Sequence, residues 1–370
     1  MPFRKRGSNP HKSSFRLPVG IQPWERELKR FNSCAQEGFQ FELLEDSPDS
    51  FRITAMANHS RILRLFSDFA RQCFGDEAFL ILEFYPDEWP KQKEETPTPT
   101  VFYSPYLPTG EIFQALTPYL ERIIHDGFVG FGMANNRLGM EMFYSEEKVL
   151  TCFTGNHLKV MDLLAKHDLR HRQKLFLPAD FGHDHLSLQC HARHQLPEEL
   201  AQFSDRDLDY LVFCKELGDA LEMFPVEDGL AFFLSKKDQD QVERCLSGHP
   251  DYAVFADEDF GAVILDWNDF VEECERCFEG DLFEYQQGLQ LRDLLQYVLE
   301  GVSPQLKIKL ERILSDPDQR FRKALGDHRK RLDPPEEPRL TSERFWYQGV
   351  CRNQGSDLRR DLIRHGWYTP

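Results

Sequence analysis

Residues 128–154 constrain the fold of this chain more than any other stretch. Phe128–Ala134 and Leu138–Tyr144 are apolar runs on either side of Asn135-Asn136-Arg137. Lys148–Thr154 follows the polar triplet Ser145-Glu146-Glu147. Asparagine tolerates left-handed backbone angles, so the first triplet predicts a hairpin turn, and the second is another polar turn. Three strands joined in this way are expected to lie side by side. Gly155-Asn156 then offers an N-cap to a helix carrying Leu158, Val160, Met161, Leu163 and Leu164.

The flanking sequence has the same alternation of periods. Phe39, Phe41 and Leu43 alternate with polar residues, as do Phe51 and Ile53, which predicts strand, turn, strand. Ile62, Leu63, Phe66, Phe69, Ala70 and Cys73 recur at helical spacing. Residues 78–85 form an apolar strand, and the proline-rich stretch 86–100 predicts a surface loop before a short strand at 101–103. Ile112, Phe113, Leu116, Leu120, Ile123 and Ile124 share one helical face, with Pro118 placed to kink the helix and Gly127 to end it. The expected class is therefore α+β, with helices on one face of a largely antiparallel sheet.

After residue 195 the pattern predicts a second, smaller sheet module. A helical region reaches Met223, and strands are expected at 229–234, 252–255 and 262–267, with helices at 239–246 and 268–277. From Leu282 the spacing is helical throughout, with a second helix starting after Ser303-Pro304. The expected organisation is a flexible basic arm at 1–22, a first α+β module at 23–195 and a second at 196–280. A helical region at 281–332 and a linker with an aromatic, basic tail at 333–370 follow. The order of elements in the second module loosely echoes the first, with too few identities to establish a repeat.

A chain of 370 residues has room for two or three such cores. No apolar run approaches the ~20 residues of a membrane span, and no apolar segment follows Arg4-Lys5-Arg6 as in a secretory signal. A soluble, cytoplasmic protein without a membrane partner is the expectation. The net charge of −17 is uneven, with an acidic body between basic ends. That balance disfavours nucleic acid as the main partner and favours another protein. Nine cysteines, an odd number, sit mostly in apolar segments as reduced thiols do. Cys274 and Cys277 make the one C-x-x-C pair, and without a second pair it predicts core packing rather than a zinc ribbon.

Two features could carry chemistry. The segment 167–194 is dense in histidine, and His183-Asp184-His185 on a strand would present both imidazoles on one face. His191 and His194 would meet on a helical turn, and Asp180 and Asp184 are close in sequence. Imidazole suits zinc and similar divalent metals, although this spacing matches no motif of known mechanism. In the tail, Arg344, Arg352, Arg359, Arg360 and Arg364 stand among Phe345, Trp346, Tyr347, Trp367 and Tyr368. These could hold an anionic ligand, but the preferred expectation is a tail docked on the protein with its arginines paired to acidic groups.

Two resemblances are set aside. Asp180-Phe181-Gly182 matches a kinase tripeptide, but residue 173 is Gln where a catalytic Asp is needed, and no glycine-rich loop precedes it. Gly130-Phe131-Gly132 lies inside a strand, so it is no phosphate loop and instead suits close backbone packing.

The function expected from sequence alone is a non-enzymatic interaction or regulatory protein with no cofactor. The alternative is a metal-dependent hydrolytic enzyme using zinc or another divalent metal at His183, His185, His191, His194, Asp180 and Asp184. A weaker alternative is a nucleic-acid-associated factor using the basic ends.

Overall fold

The computed structural model describes residues 15–44, 47–85, 98–276, 278, 280, 282–326, 344–348, 351–354 and 357–363. The chain divides into two compact units, Met1–Asp228 and Gly229–Pro370. The first opens with β1 (Ile21–Pro23), α1 (Leu28–Cys34), β2 (Gly38–Leu44), β3 (Ser47–Met56), α2 (His59–Cys73) and β4 (Glu77–Phe84). It continues with β5 (Thr100–Tyr103), β6 (Leu107–Pro108), α3 (Thr109–Leu116), α4 (Leu120–His125) and β7 (Val129–Asn135). Next come β8 (Met140–Tyr144), β9 (Leu150–Thr154), α5 (His157–Lys166) and β10 (His183–His185). α6 (Glu198–Ala201), α7 (Tyr210–Ala220) and β11 (Phe224–Val226) complete the unit.

The fold is α+β, as the patterning predicts. Nine strands form one sheet in the order β11-β5-β4-β7-β8-β9-β3-β2, with β6 beside β4. Every neighbouring pair is antiparallel. Alternation sends Leu80, Leu82, Phe131, Met133, Met142, Tyr144, Leu150 and Cys152 to one face. There they pack beneath Ile62, Leu65, Phe66 and Phe69 of α2 and Ile112 and Leu116 of α3. Phe79, Ile81 and Ala134 point to the other face and meet Tyr103 and Phe143. Gly132 belongs to that second face. A Cβ there would lie 2.6 Å from the Phe143 ring on its register partner, so only glycine lets the two strands close.

Local departures have local causes. The left-handed residue in the β7–β8 connection is Gly139 (φ 58), while the Asn135 side chain caps a 3₁₀ turn at Asn136–Leu138. Residues 117–119 separate α3 from α4, so Pro118 divides the expected helix in two. Part of the expected flexible arm is ordered: Ile21 is buried, and β1 pairs with β10. Residues 1–14 lie outside the described residues. The segment after 195 also differs from the expected second module. Phe213, Cys214, Leu217 and Leu221 of α7 join the first core, and β11 extends the first sheet beside β5.

The second unit is built on α8 (Lys236–Ser247), α9 (Phe260–Arg276), α10 (Leu282–Gly301) and α11 (Pro304–Gly326). A hairpin, β12 (Cys351–Gln354) with β13 (Asp357–Ile363), is the last described element. Residues 262–267, expected as a strand, lie within α9. Their apolar run continues at helical spacing through Val263, Ile264, Trp267, Phe270, Val271 and Cys274, all of them buried. Residues 253–255 form a 3₁₀ turn rather than a strand, and a 3₁₀ turn at Asp228–Leu230 begins the stretch expected as a strand at 229–234. Short apolar runs fit either period, and here length decided for helix. Cys274 is buried in α9, as expected of a packed thiol, and Cys277 lies outside the described residues.

The aromatic tail begins as a docked element. Phe345 and Trp346 are both 0% exposed. Arg292 lies 4.0 Å over the Trp346 ring and forms a two-pronged ion pair with Asp318, with both contacts at 2.7 Å. Arg322 lies over Phe345 at 4.1 Å. Trp367 and Tyr368 fall outside the described residues. Among the described residues no helix is long and apolar enough to cross a membrane.

These packing assignments predict stability losses that chemical denaturation measures. Phe66→Ala and Trp346→Ala should each cost about 3–5 kcal/mol, and Leu116→Ala about 2–5 kcal/mol, because each leaves a cavity in a closed core. Wild-type stability in any of the three would mean that its face does not pack as described.

Candidate metal centre

The short strand β10 carries the site. His183 and His185 are two residues apart, so both imidazoles leave the strand on one face and Asp184 leaves on the other. Asp184 is engaged there, its Oδ1 accepting 2.8 Å from Trp24 Nε1. Three sets of contacts fix the strand. It pairs antiparallel with β1, Ile21 opposite His185 and Pro23 opposite His183. The Gly127 N–H donates to Leu186 O, while Leu186 N donates to Gly20 O. The buried Asp126 carboxylate accepts from Phe128 N and Leu188 N, joining the entrance of β7 to the segment beyond β10. Burial pushes that carboxyl up to about 6 even though both backbone donors favour its ionised form.

The third member comes from the β8–β9 turn. Glu147 brings Oε2 to 3.2 Å from His183 Nε2 and Oε1 to 3.7 Å from His185 Nε2. The two Nε2 atoms are 3.1 Å apart. Ligand atoms around an ion bonded at ~2.1 Å must lie within roughly 4.2 Å of one another. Each of these contacts satisfies that limit, with a different Glu147 oxygen facing each histidine. Side-chain exposure rises from 9% at His183 through 23% at His185 to 38% at Glu147, so the group is closed on one side and open on the other.

The backbone decides which nitrogens face inward. His183 Nδ1 lies 3.1 Å from Phe181 O, and His185 Nδ1 lies 2.7 Å from Gly127 O. A carbonyl oxygen only accepts, so both Nδ1 atoms carry a proton and both Nε2 atoms point into the cluster. Glu147 Oε2 is shielded from solvent and has no aligned hydrogen bond among the described residues. Lone pairs that converge in this way repel unless a cation lies among them, either a proton or a metal ion. Charge coupling runs in the same sense. Burial works to lower the His185 pKa, but Glu147 and the Gly127 carbonyl outweigh it and the net shift is upward. The hydrogen-bonding His185 in turn holds Glu147 below the usual carboxylate range despite burial. Tyr85 is pushed up by burial and by Glu146, Glu83 and Glu147, which places its phenol within the field of the site.

Of the six residues singled out as metal ligands from sequence, the structure brings together His183 and His185. Asp180 is used within its own turn, accepting from Leu177 N at 2.9 Å. His191 is partly buried, and burial lowers its pKa. His194 is exposed, and neither residue belongs to the cluster. Glu147 gives no signal in the sequence, since Ser145-Glu146-Glu147 has the composition of any solvated turn and nothing local distinguishes its second glutamate. Among the anionic-ligand candidates, Arg344 already contacts Glu300 at 3.0 Å and Asp293 at 3.7 Å. The side chains of Arg352, Arg359 and Arg360, and the whole of Arg364, lie outside the described residues.

The second unit contains a cavity of about 1070 Å³ lined by Asp266, Asp269 and Glu273 of α9, Glu284 and Asp293 of α10, and Tyr252. Burial, then Glu272 and Asp266, push Asp269 up to about 6. Its folded pKa exceeds the unfolded value of about 3.9. Any stability this proton contributes is therefore present below pH ~4 and lost as pH rises through 6. Asp269→Asn should raise the melting temperature at pH 7, and the gain should shrink toward pH 4. A gain independent of pH would contradict this.

Gly182 provides a test of how β10 is placed. A Cβ there would lie 2.1 Å from the Trp24 ring, whose indole N–H bonds to Asp184. Gly182→Ala should displace the indole, lower thermal stability and shift the His183 and His185 imidazole resonances. Unchanged resonances would mean that Trp24 does not hold the strand.

Comparison with protein-family models, with curated proteins and with solved structures found no match to this chain.

Proposed function

We propose that this protein binds one divalent transition-metal ion through Glu147, His183 and His185, and that it is a metal-dependent enzyme of the hydrolytic class. One observation carries the reading. Two imidazoles whose protons are committed to backbone carbonyls converge with a buried carboxylate oxygen, and all three ligand atoms lie within 4.8 Å. Two nitrogens and one carboxylate suit zinc and its neighbours in the first row. Three protein ligands leave a coordination position free, as in catalytic rather than closed structural sites. A bound ion would supply Lewis acidity and a water acidified toward neutral pH. The partial exposure of His185 and Glu147 gives a substrate access to that side. The expectation of an interaction protein rests on the lack of a catalytic spacing in the sequence. Ligands at 147, 183 and 185 have no linear spacing to find.

Protein dialysed against a chelator and then titrated calorimetrically with Zn²⁺ should take up one equivalent. Uptake should be abolished in the His183→Ala/His185→Ala variant and weakened in Glu147→Gln. Zinc-dependent hydrolysis of an activated ester such as p-nitrophenyl acetate, absent in the double variant, would support the hydrolytic class. Failure of the wild type to bind zinc, manganese, cobalt or iron stoichiometrically would overturn the metal reading. Binding without hydrolysis of any ester or phosphoester tried would remove the enzyme class alone.

A further inference from the structure

Lys148 follows the Glu147 ligand directly, and its setting is unusual in two independent ways. Its backbone is left-handed, with φ 60, where glycine or asparagine is the ordinary choice. Its side chain, only 1% exposed, runs inward instead of reaching water. Buried lysines are rare unless their charge is engaged. Here Nζ donates 2.7 Å to Val129 O at the start of β7 and 3.1 Å to Ile123 O in the last turn of α4. The turn closes around it through Lys148 N to Ser145 O at 2.9 Å and Ser145 N to Val149 O at 3.1 Å. Lysine at a glycine position costs backbone strain, so what it contributes must come from the side chain.

What the side chain ties down is informative. Both acceptor carbonyls lie close in sequence to Gly127, between them the end of α4 and the start of β7. The Gly127 carbonyl accepts from His185 Nδ1. Lys148 therefore links the turn that carries one ligand to the backbone that orients another. We infer that Lys148 is a positioning residue, a buried anchor that holds the Glu147 carboxylate against His183 and His185. The inference rests on the metal reading for its purpose, but the geometry it asserts exists with or without an ion.

Two substitutions separate the anchor from the turn. Lys148→Met keeps the aliphatic stem and removes both hydrogen bonds. Lys148→Gly removes the side chain and relieves the left-handed strain, so the turn itself is favoured. A control, Val160→Ala in the core of the first unit, lowers stability away from the site. Metal affinity is measured at a temperature where circular dichroism shows each variant folded, and imidazole ¹⁵N resonances are recorded without metal. Both Lys148 variants should bind Zn²⁺ about 10–100-fold more weakly, the loss typical of an outer-shell partner. Their His183 and His185 Nε2 resonances should move as they do in Glu147→Gln, while Val160→Ala changes neither measurement. Wild-type affinity or wild-type resonances in Lys148→Gly would overturn the inference, because the turn geometry alone would then suffice. If wild-type protein takes up no metal, the metal reading fails by itself. The resonances still decide the anchor: movement toward Glu147→Gln supports it, and none overturns it.

Discussion

Burial of one face of the antiparallel sheet under α2 and its neighbours is the constraint on which the first unit depends. Phe66 meets Phe131 with ring centroids 4.4 Å apart, at the centre of a core reaching from β4 to β3. Because side chains alternate, committing that face fixes the register of every strand. With the register fixed, the β8–β9 turn and the start of β7 have set positions at one end of the central strands. The candidate metal centre is assembled there, from loop residues whose geometry the rigid sheet dictates.

The strand that supplies two of the three ligands does not belong to that sheet. β10 is three residues long and is held by β1, by the Gly127–Leu186 hydrogen bond and by the Asp126 carboxylate. Such a segment has little apolar surface of its own, so backbone hydrogen bonds and one buried carboxylate orient it. Two further carbonyls, Phe181 O and Gly127 O, choose the imidazole tautomers. Structural and chemical roles coincide at Gly127, whose N–H holds Leu186 and whose carbonyl orients His185.

The second unit is organised on different terms, by helix packing around paired charges. Arg292 and Asp318 are both largely buried, and Trp267 donates to the same carboxylate. Their ion pair sits beside the fully buried Trp346. Removing either partner would leave the other charge buried and uncompensated, which costs more than the pair gains by forming. Phe345 and Trp346 are thus part of the unit's core, while the partly exposed Arg344 pairs with Glu300 and Asp293.

The sequence by itself determined the class of the first unit, its hairpins and the helical faces, because periods of 2 and 3.6 are local properties of the chain. It also placed His183 and His185 on one face of a strand, for the same reason. Residues 262–267 suit a strand or a helix by pattern, since five apolar residues around Asp266 fit both periods until α9 is followed to Cys274. Tertiary structure alone decided the site. Glu147 and Lys148 lie nearly forty residues before the histidines and look like an ordinary turn and strand start. Only pairing of distant strands brings the carboxylate to 3.2 Å from His183 and buries the lysine beneath the turn. Contacts of that kind depend on how the sheet closes, and no local pattern in a single chain encodes them.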